Sequence, residues 1–564
     1  MSRLKSHYEE ELSYLREQGK RFSNRFPKLA PFLSQEAKDP DIERLLEGFA
    51  MIAAKLQCKI QDAYPELSSQ VLEMIAPLYL SPQPSASVMQ FKTNPTMAAI
   101  SKKIARGTEL RGQKEGAPYF FTTTQELLVQ PLALSKCEKK ENGTELEITL
   151  SFDCLYEAHT HHLESLEFFI GGELSHSYLL SHLLLERVKQ IEIEIDGKTI
   201  PLPRGSFKRR GLDAKASLVP YFEAQYHVFQ LLCDYFVFPE KFLFFQLEGI
   251  DFKKLPKAQN FKLKLSFDFE GKQTLKLNQN TFKLHCAPAV NLWRADAAPF
   301  YYDATRTEYP LRVESAVGEA APHSVLAVSG WSEKEKKNVA YQAARDFPVS
   351  QRESMRYQTI LRNTTIKDEP ELYLELWNPK ALEDTQVIST EVLAYCPHAF
   401  LDLNGPKVVS ALQKEQGLEW TNVLPLSSPV YPPLEENATW KLISHLALRF
   451  KNMREVGVLK QLIMAYDFAA LQPGREGSLS HKIAEALLEF TTQEAQHFHR
   501  GELIKGSASV LKLKEDVFLN QGEIHLFGSI LAHILSVHAP FNSFHDLRIE
   551  GVLTGFKAIW KAAF

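Results

Sequence analysis

Glu145-Leu146-Glu147-Ile148-Thr149-Leu150-Ser151-Phe152 is the stretch that decides the fold class of this chain. Leu146, Ile148, Leu150 and Phe152 alternate strictly with Glu, Thr and Ser, the period of two that turns one side of a strand to a core and the other to water. Asn142-Gly143 stands just before it, a dipeptide that accepts the left-handed backbone of a tight hairpin turn. The pattern recurs outward. Ile191, Ile193 and Ile195 alternate and end in Asp196-Gly197, and Phe261, Leu263, Leu265, Phe267 and Phe269 alternate and end in Glu270-Gly271. Such strands belong to antiparallel sheets with one face on a core, as in sandwiches. A content of 36 Phe and 19 Tyr agrees, because flat rings pack well on pleated surfaces. Leu-Ser-Phe-Asp occurs twice, at Leu150–Asp153 and Leu265–Asp268, marking either two related β-domains or a coincidence of four residues. A helix is expected to interrupt the β-region over Ser175–Val188, where Tyr178, Leu179, His182, Leu183 and Leu185 gather.

Upstream the period is helical. Leu4, Tyr8, Leu12, Leu15, Phe22 and Phe26 recur three, four or seven apart, one face of a helix that Pro27 and Pro31 end. A second helix starts at Asp39-Pro40, a capping residue followed by a proline suited to the first turn. Its stripe is Ile42, Leu45, Leu46, Phe49, Ile52, Leu56 and Ile60. A third begins near Pro65 with Leu67, Val71 and Ile75. Ser81-Pro82-Gln83-Pro84-Ser85 reads as a linker, since it cannot continue a helix. Helices return with Trp440, Ile443, Leu446, Ala447 and Phe450, then Val456, Leu459, Leu462, Ile463 and Tyr466. After a loop at Pro473–Gly477 come a strand at Ser509–Leu513, a helix at His525–Val537 and a strand at Asp546–Ile549. The expected fold is α+β and multidomain: a helical region over 1–85, antiparallel sandwich-like β-domains over 86–290 and 291–425, and a mixed α/β region over 426–564.

The net charge of −4 lacks the basic excess that nucleic-acid binding requires, so no nucleic-acid partner is expected. The densest basic run, Lys208-Arg209-Arg210, reads as a solvated loop. Six cysteines, Cys58, Cys137, Cys154, Cys233, Cys286 and Cys396, stand alone, the usage of a reducing compartment. No secretory apolar region follows Met1, and the apolar run from Leu526 to Phe541 carries two histidines and is short for a membrane span. A cytoplasmic protein without direct membrane insertion is expected.

The chemistry-bearing motifs are sparse. There is no phosphate-cradling glycine loop, no HExxH and no GxSxG elbow. His159, His161 and His162 are the best metal candidate if they lie on a strand, where alternation puts two imidazoles on one side; the alternative is an exposed hairpin end. His497 and His499 are a weaker pair. Ser543-Phe544-His545-Asp546 contains the residue types of a triad, but triads are assembled in space and not by adjacency, and a turn entering a strand explains the stretch. Asp39 and Asp41 are explained by helix capping and the helix dipole. No catalytic, cofactor or metal residue is assigned, and a β-sandwich enzyme or binding protein acting on carbohydrate stands as an alternative.

The N-terminal helices raise a different question. Each large apolar side chain fully buried stabilises by ~1.5–3 kcal/mol, and three helices of this size have little core of their own. Their stripes pack on the following β-domain or on other chains; amphipathicity alone leaves both open.

The run Tyr8-Glu9-Glu10-Glu11-Leu12-Ser13-Tyr14-Leu15-Arg16, with Phe22 to Pro27, Asp39 to Ala50, Tyr64-Pro65-Glu66-Leu67 and Pro77 to Ser85, resembles the opening of the TssF family, baseplate subunits of the bacterial type VI secretion system. Arg106-Gly107-Thr108, Phe238 to Phe242, Asn291-Leu292-Trp293, Trp440 to Leu446 and Phe541-Asn542-Ser543-Phe544 are similar landmarks in the same order. The sequence departs from the family pattern at Cys396 to Phe400 and at Trp293. The resemblance implies a structural scaffold and no catalysis or cofactor. It implies a contractile baseplate wedge in which the chain pairs with a second TssF copy and one TssG-like subunit. Further implied contacts are a TssK-like adaptor, a TssE-like protein, the central spike and the membrane complex, which would bring the wedge to the inner face of the inner membrane. A wedge protein of a contractile phage tail is the nearest alternative. Within that reading the expected partner surface is Leu4, Tyr8, Leu12, Leu15, Phe22 and Phe26 with Ile42, Leu45, Leu46, Phe49, Ile52, Leu56 and Ile60.

Overall fold

The computed structural model describes the chain outside residues 1, 27–39, 64, 94–100, 115–116, 157, 220–227, 270–274, 304, 315–319, 333, 335, 345–354, 364–368, 379–384, 399–408, 411–417, 435, 447–454, 472–477, 500 and 563–564. The proline stops at Pro27 and Pro31, the Asp39 cap, the Glu270-Gly271 turn, Ala399 and Phe400, Ala447 and Phe450, and the Pro473–Gly477 loop lie outside the described residues. The architecture is α+β and multidomain. Three helices open it: α1 (Ser2–Arg25), α2 (Pro40–Ala63) and α3 (Pro65–Ile75). The later helices are α4 (Leu174–His182), α5 (Gln230–Val237), α6 (Glu436–Leu446), α7 (Val456–Ala465), α8 (Leu479–Ala486) and α9 (Gln521–Val537).

The three alternating segments fall side by side in one five-stranded sheet. Its order is Lys198–Leu202, Val188–Ile195, Asn260–Asp268, Glu145–Cys154, Leu132–Asn142. Leu146, Ile148, Leu150 and Phe152 are fully buried, and a four-stranded sheet covers them, with Phe168 6.0 Å from Phe152 between ring centroids. The turns follow from their residues: Gly143 has φ +66°, and Asp196 and Gly197 have φ +47° and +75°. The two Leu-Ser-Phe-Asp segments are neighbours in this sheet, with Leu150 opposite Leu263 and Leu265 opposite Ile148. The repeat therefore does not mark two domains; two antiparallel strands that line the same core have converged on the same alternation.

A closed barrel sits beside the sandwich. Its strands come from widely separated segments: Ala86–Lys92, Cys286–Val290, Ala117–Thr123, Glu109–Lys114, Val409–Ser410 and Glu419–Asn422. Phe121 and Trp420 pack edge to face at 6.0 Å in its core. A seven-stranded sheet follows, built wholly from residues 293–395, around Leu374, Ile388 and Val392. The boundary expected at 290/291 falls at the exit of a barrel strand, and the barrel takes strands from both sides of it. The two departures from the family pattern meet here. Trp293 packs on Phe120 at 5.3 Å, and the side chain of Asn291 accepts from the Cys396 amide (2.8 Å) while donating to the Phe120 carbonyl (2.8 Å). Both are interior residues of one junction.

The C-terminal sheet has the order Leu487–His499, Glu502–Leu513, His545–Gly551, Lys557–Trp560, with its middle pair parallel and α9 as the crossover. Asn520 caps α9 through Gly522 N (2.9 Å) and Glu523 N (3.3 Å). The start of α9 lies so close to α4 that a Cβ on Gly522 would stand 1.9 Å from the Tyr178 carbonyl oxygen. One hydrophobic core runs from the sandwich through α5 into this region, with Phe229 5.2 Å from Tyr466 and Tyr235 6.3 Å from Phe527.

The proline-rich segment at Ser81–Ser85 is not a free linker. Pro82 to Ser85 are buried, Gln83 and Val430 exchange two backbone hydrogen bonds (2.7 and 2.9 Å), and His323 bonds the Pro82 carbonyl (2.9 Å). Prolines bring no backbone N–H to satisfy, so an extended Pro-Gln-Pro strip crosses a buried junction with few unpaired donors.

Candidate interaction surfaces

α1 packs along α2, and α2 touches α3 at one end. The seam is small on the α2 side, where Ala50 and Ala54 are fully buried, and is filled from α1 by Leu12 and Ser23. Residues four apart share a helix face, so two alanines let the backbones approach closely. Arg16 pairs with Glu43 across it. α3 is tied into the body: Ser68 and Thr439 hydroxyls share a buried 2.7 Å hydrogen bond, and Thr359 Oγ1 donates to Glu73 Oε1 at 2.6 Å.

The other side of α2 is open. Leu45 is 72% exposed, Phe49 68%, Ile52 57% and Leu56 55%, spaced at four, three and four residues along one face. Leu46 is half-buried. On α1, Tyr8 and Leu15 are half-buried, whereas Phe22 and Phe26 are exposed and lie 5.2 Å apart with the Arg25 guanidinium over the Phe26 ring. Nothing is described of the side chains of Leu4, Ile42 and Ile60. The expected stripes therefore divide: part of the first is used inside the helix pair, and most of the second is not. The periodicity missed the alanine seam, although Ala50 and Ala54 stand at helical spacing in the sequence. It also passed over other exposed apolar groups, among them Tyr14, Met74, Phe498 and Phe541.

The chemistry candidates dissolve into packing. Among the described residues no three His, Cys, Asp or Glu side chains are grouped to hold a metal. Thr160–His162 is a single 3-10 turn and not the strand a metal pair required; the His162 ring accepts from the His159 amide (3.1 Å), and His161 bonds the Leu255 carbonyl (2.7 Å). Ser507 and His545 share a buried 2.9 Å hydrogen bond, but Asp546 turns to the other face and binds His497 at 2.6 Å. Adjacent strand residues point to opposite faces, so no triad forms. Lys208-Arg209-Arg210 is not a solvated loop either. Arg210 pairs with Glu167, and the Arg209 guanidinium is inside, donating to Ser181 (3.1 Å) beside the Phe245 ring, where burial brings its pKa down to about 10. No helix among the described residues is long and apolar enough to cross a membrane.

A scaffold of interleaved β-domains, carrying a helical pair whose outer face is open, defines a subunit of a larger assembly. The chain belongs to the TssF family: the family profile described as "Type VI secretion system, TssF" matches residues 1–562. Type VI secretion system component TssF1 of Pseudomonas aeruginosa is 26% identical, over 99% of this chain and 98% of the relative. Two solved structures share the fold. One, a TssK-TssF-TssG baseplate subcomplex seen by cryo-electron microscopy, has a TM-score of 0.75 and 24% identity over 93% of this chain and 98% of that one. The other, described as the baseplate complex from the type VI secretion system, has a TM-score of 0.66 and 21% identity over 99% and 98%.

Proposed function

We propose that this chain is a structural subunit of a type VI secretion baseplate wedge. In this reading it pairs with a second copy and one TssG-like subunit and supports assembly of the contractile tail. The observation that carries the reading is the open α2 face, Leu45, Phe49, Ile52 and Leu56. A contiguous apolar stripe on a helix already packed on its opposite side is an interface in waiting. Burying each side chain stabilises by ~1.5–3 kcal/mol, enough for four of them to offset much of the freedom lost on association. Phe22 and Phe26 extend the surface. A TssK-like adaptor, named with TssF and TssG in the subcomplex of the same fold, joins the same assembly. Contacts with a TssE-like protein, the central spike and a membrane complex complete the wedge reading, and place the chain in the cytoplasm at the inner membrane through its partners.

Co-expression with the TssG-like subunit tests this. The expected result is a complex holding two copies of this chain per partner, by mass of the intact assembly. A monodisperse monomer that ignores that subunit would overturn the reading.

A further inference from the structure

Leu487–His499 is the edge of the C-terminal sheet: among the described strands it pairs only with Glu502–Leu513. It is 13 residues long, well beyond the ~5–6 typical of strands. Sheet edges are ordinarily blunted by lysine, proline, bulges or shortness. This one has no Lys, Arg or Pro, and its one register irregularity sits between Leu487 and Glu489. Its far half has no third strand beside it, although His497 bonds Asp546 there and packs on Phe544. The third strand starts at His545, opposite Ser507, so Ala495–His499 and Glu502–Gly506 form a two-stranded ribbon. Its end carries the cross-strand pair Phe498, 81% exposed, and Leu503, 46% exposed. A two-stranded ribbon is marginal in water without neighbours to pack on.

We propose that this edge is covered by the same edge of a second copy, antiparallel about Gln493. The residues are self-complementary in that register. Glu489 faces the partner's His497, Thr491 faces Ala495, Thr492 faces Glu494, and no two like charges meet. Phe498 at the ribbon's end comes beside Leu488, itself 43% exposed at the base of the strand. Each two-stranded ribbon gains its third strand from the firmly held half of the other, and the two four-stranded sheets become one sheet of eight. A two-fold contact of this kind is closed, because it uses the Leu487–His499 edge of both copies at once. The proposal deepens the wedge reading by locating one seam between its two copies, and it rests on that reading for the presence of a second copy.

Gln493 lies at the axis and meets itself, which makes the test specific. The full chain is used, alone and in complex with its TssG-like subunit. Q493C is expected to give a covalent dimer under mild oxidation, and T491C, which faces Ala495, to give none. Q493K and Q493E, which set like charges opposite each other, are each expected to weaken self-association about fivefold or more, and an equimolar mixture of the two to restore it. Failure of Q493C to cross-link in any state where two copies are bound overturns the proposal. So does unaltered self-association of both charge variants. If the edge instead takes an extended segment of a different subunit, Q493K weakens capture of that subunit and Q493C never joins to itself, which also overturns self-pairing. The wedge reading is scored separately, by whether the TssG-like subunit is retained at all.

Discussion

Lys241 and Asp234 meet with neither side chain touching solvent. Burial pulls the lysine pKa down and the neighbouring Asp234 pulls it back up, while Gln230 Nε2 donates to the other carboxylate oxygen at 3.2 Å. Removing one member leaves a buried charge alone, at a cost of ~3–5 kcal/mol, whereas replacing both by apolar residues is tolerated far better. K241M and D234L are each expected to lower the thermal midpoint sharply, and the double variant to recover most of the loss, measured by thermal unfolding. His182 makes a second case. It is enclosed by His525, Arg187, Arg209, Phe556 and Ser181, with His525 bonded to Glu186, and burial drives its pKa down to about 3. The unfolded chain holds a proton on this residue below its ordinary value of 6.5 and the folded chain does not. Stability is therefore full above pH 6.5 and is lost as the pH falls toward 3, at ~1.4 kcal/mol per pH unit. Between pH 7 and pH 5 the wild type is expected to lose about 2 kcal/mol more than H182L, in paired urea titrations. Neither site was legible in the sequence. A lysine in Pro239-Glu240-Lys241-Phe242 reads as solvated because its partner lies in another element and only packing removes the water.

Helices and strands were read more successfully, because their periods are local. The strict alternation in Glu145–Cys154 identified a strand and its buried face at once. Leu487–His499 escaped, since beyond Phe490 it runs Thr-Thr-Gln-Glu-Ala-Gln and an edge with little core to face carries no alternation to see. The stripe of α2 was legible as a stripe, yet periodicity does not say which neighbour covers it; the covering of Ala50 and Ala54 by α1 is a tertiary fact. The distinction makes a prediction at this scale. F49D is expected to leave the free chain folded, with unchanged circular dichroism, and to abolish co-purification with the TssG-like subunit. A50D buries an unpaired carboxylate in the α1–α2 seam and is expected to separate the helices, raising protease sensitivity in the first 60 residues. G522A tests the other helix contact. The added methyl meets the α4 backbone rather than a movable side chain, so α9 must shift, and a markedly lowered thermal midpoint is expected.

At the scale of the whole molecule the sequence conveyed class and order but not interleaving. The Ser81–Ser85 strip has the composition of a linker and the environment of a core, and no local signal separates the two. The barrel cannot be seen in any one stretch, because its strands lie as far apart as Ala86–Lys92 and Glu419–Asn422, which are directly paired. Residues 291–396, which hold all seven strands of their sheet, are expected to yield a soluble fragment with cooperative thermal unfolding. Residues 86–290 lack two barrel strands, and the core face they would expose predicts aggregation on expression alone.

That pairing of residue 89 with residue 422 also sets a timetable for biogenesis. The barrel cannot close until residue 422 has left the ribosome, roughly 20–80 s after translation starts at ~5–20 residues per second. The helical pair, whose contacts are local and which ends at Ala63, has been synthesised after roughly 3–13 s at the same rates. For most of its synthesis the nascent chain therefore displays the open α2 face while the scaffold behind it is unfinished. A partner subunit present during synthesis can engage that face before the protein has a finished body to attach it to.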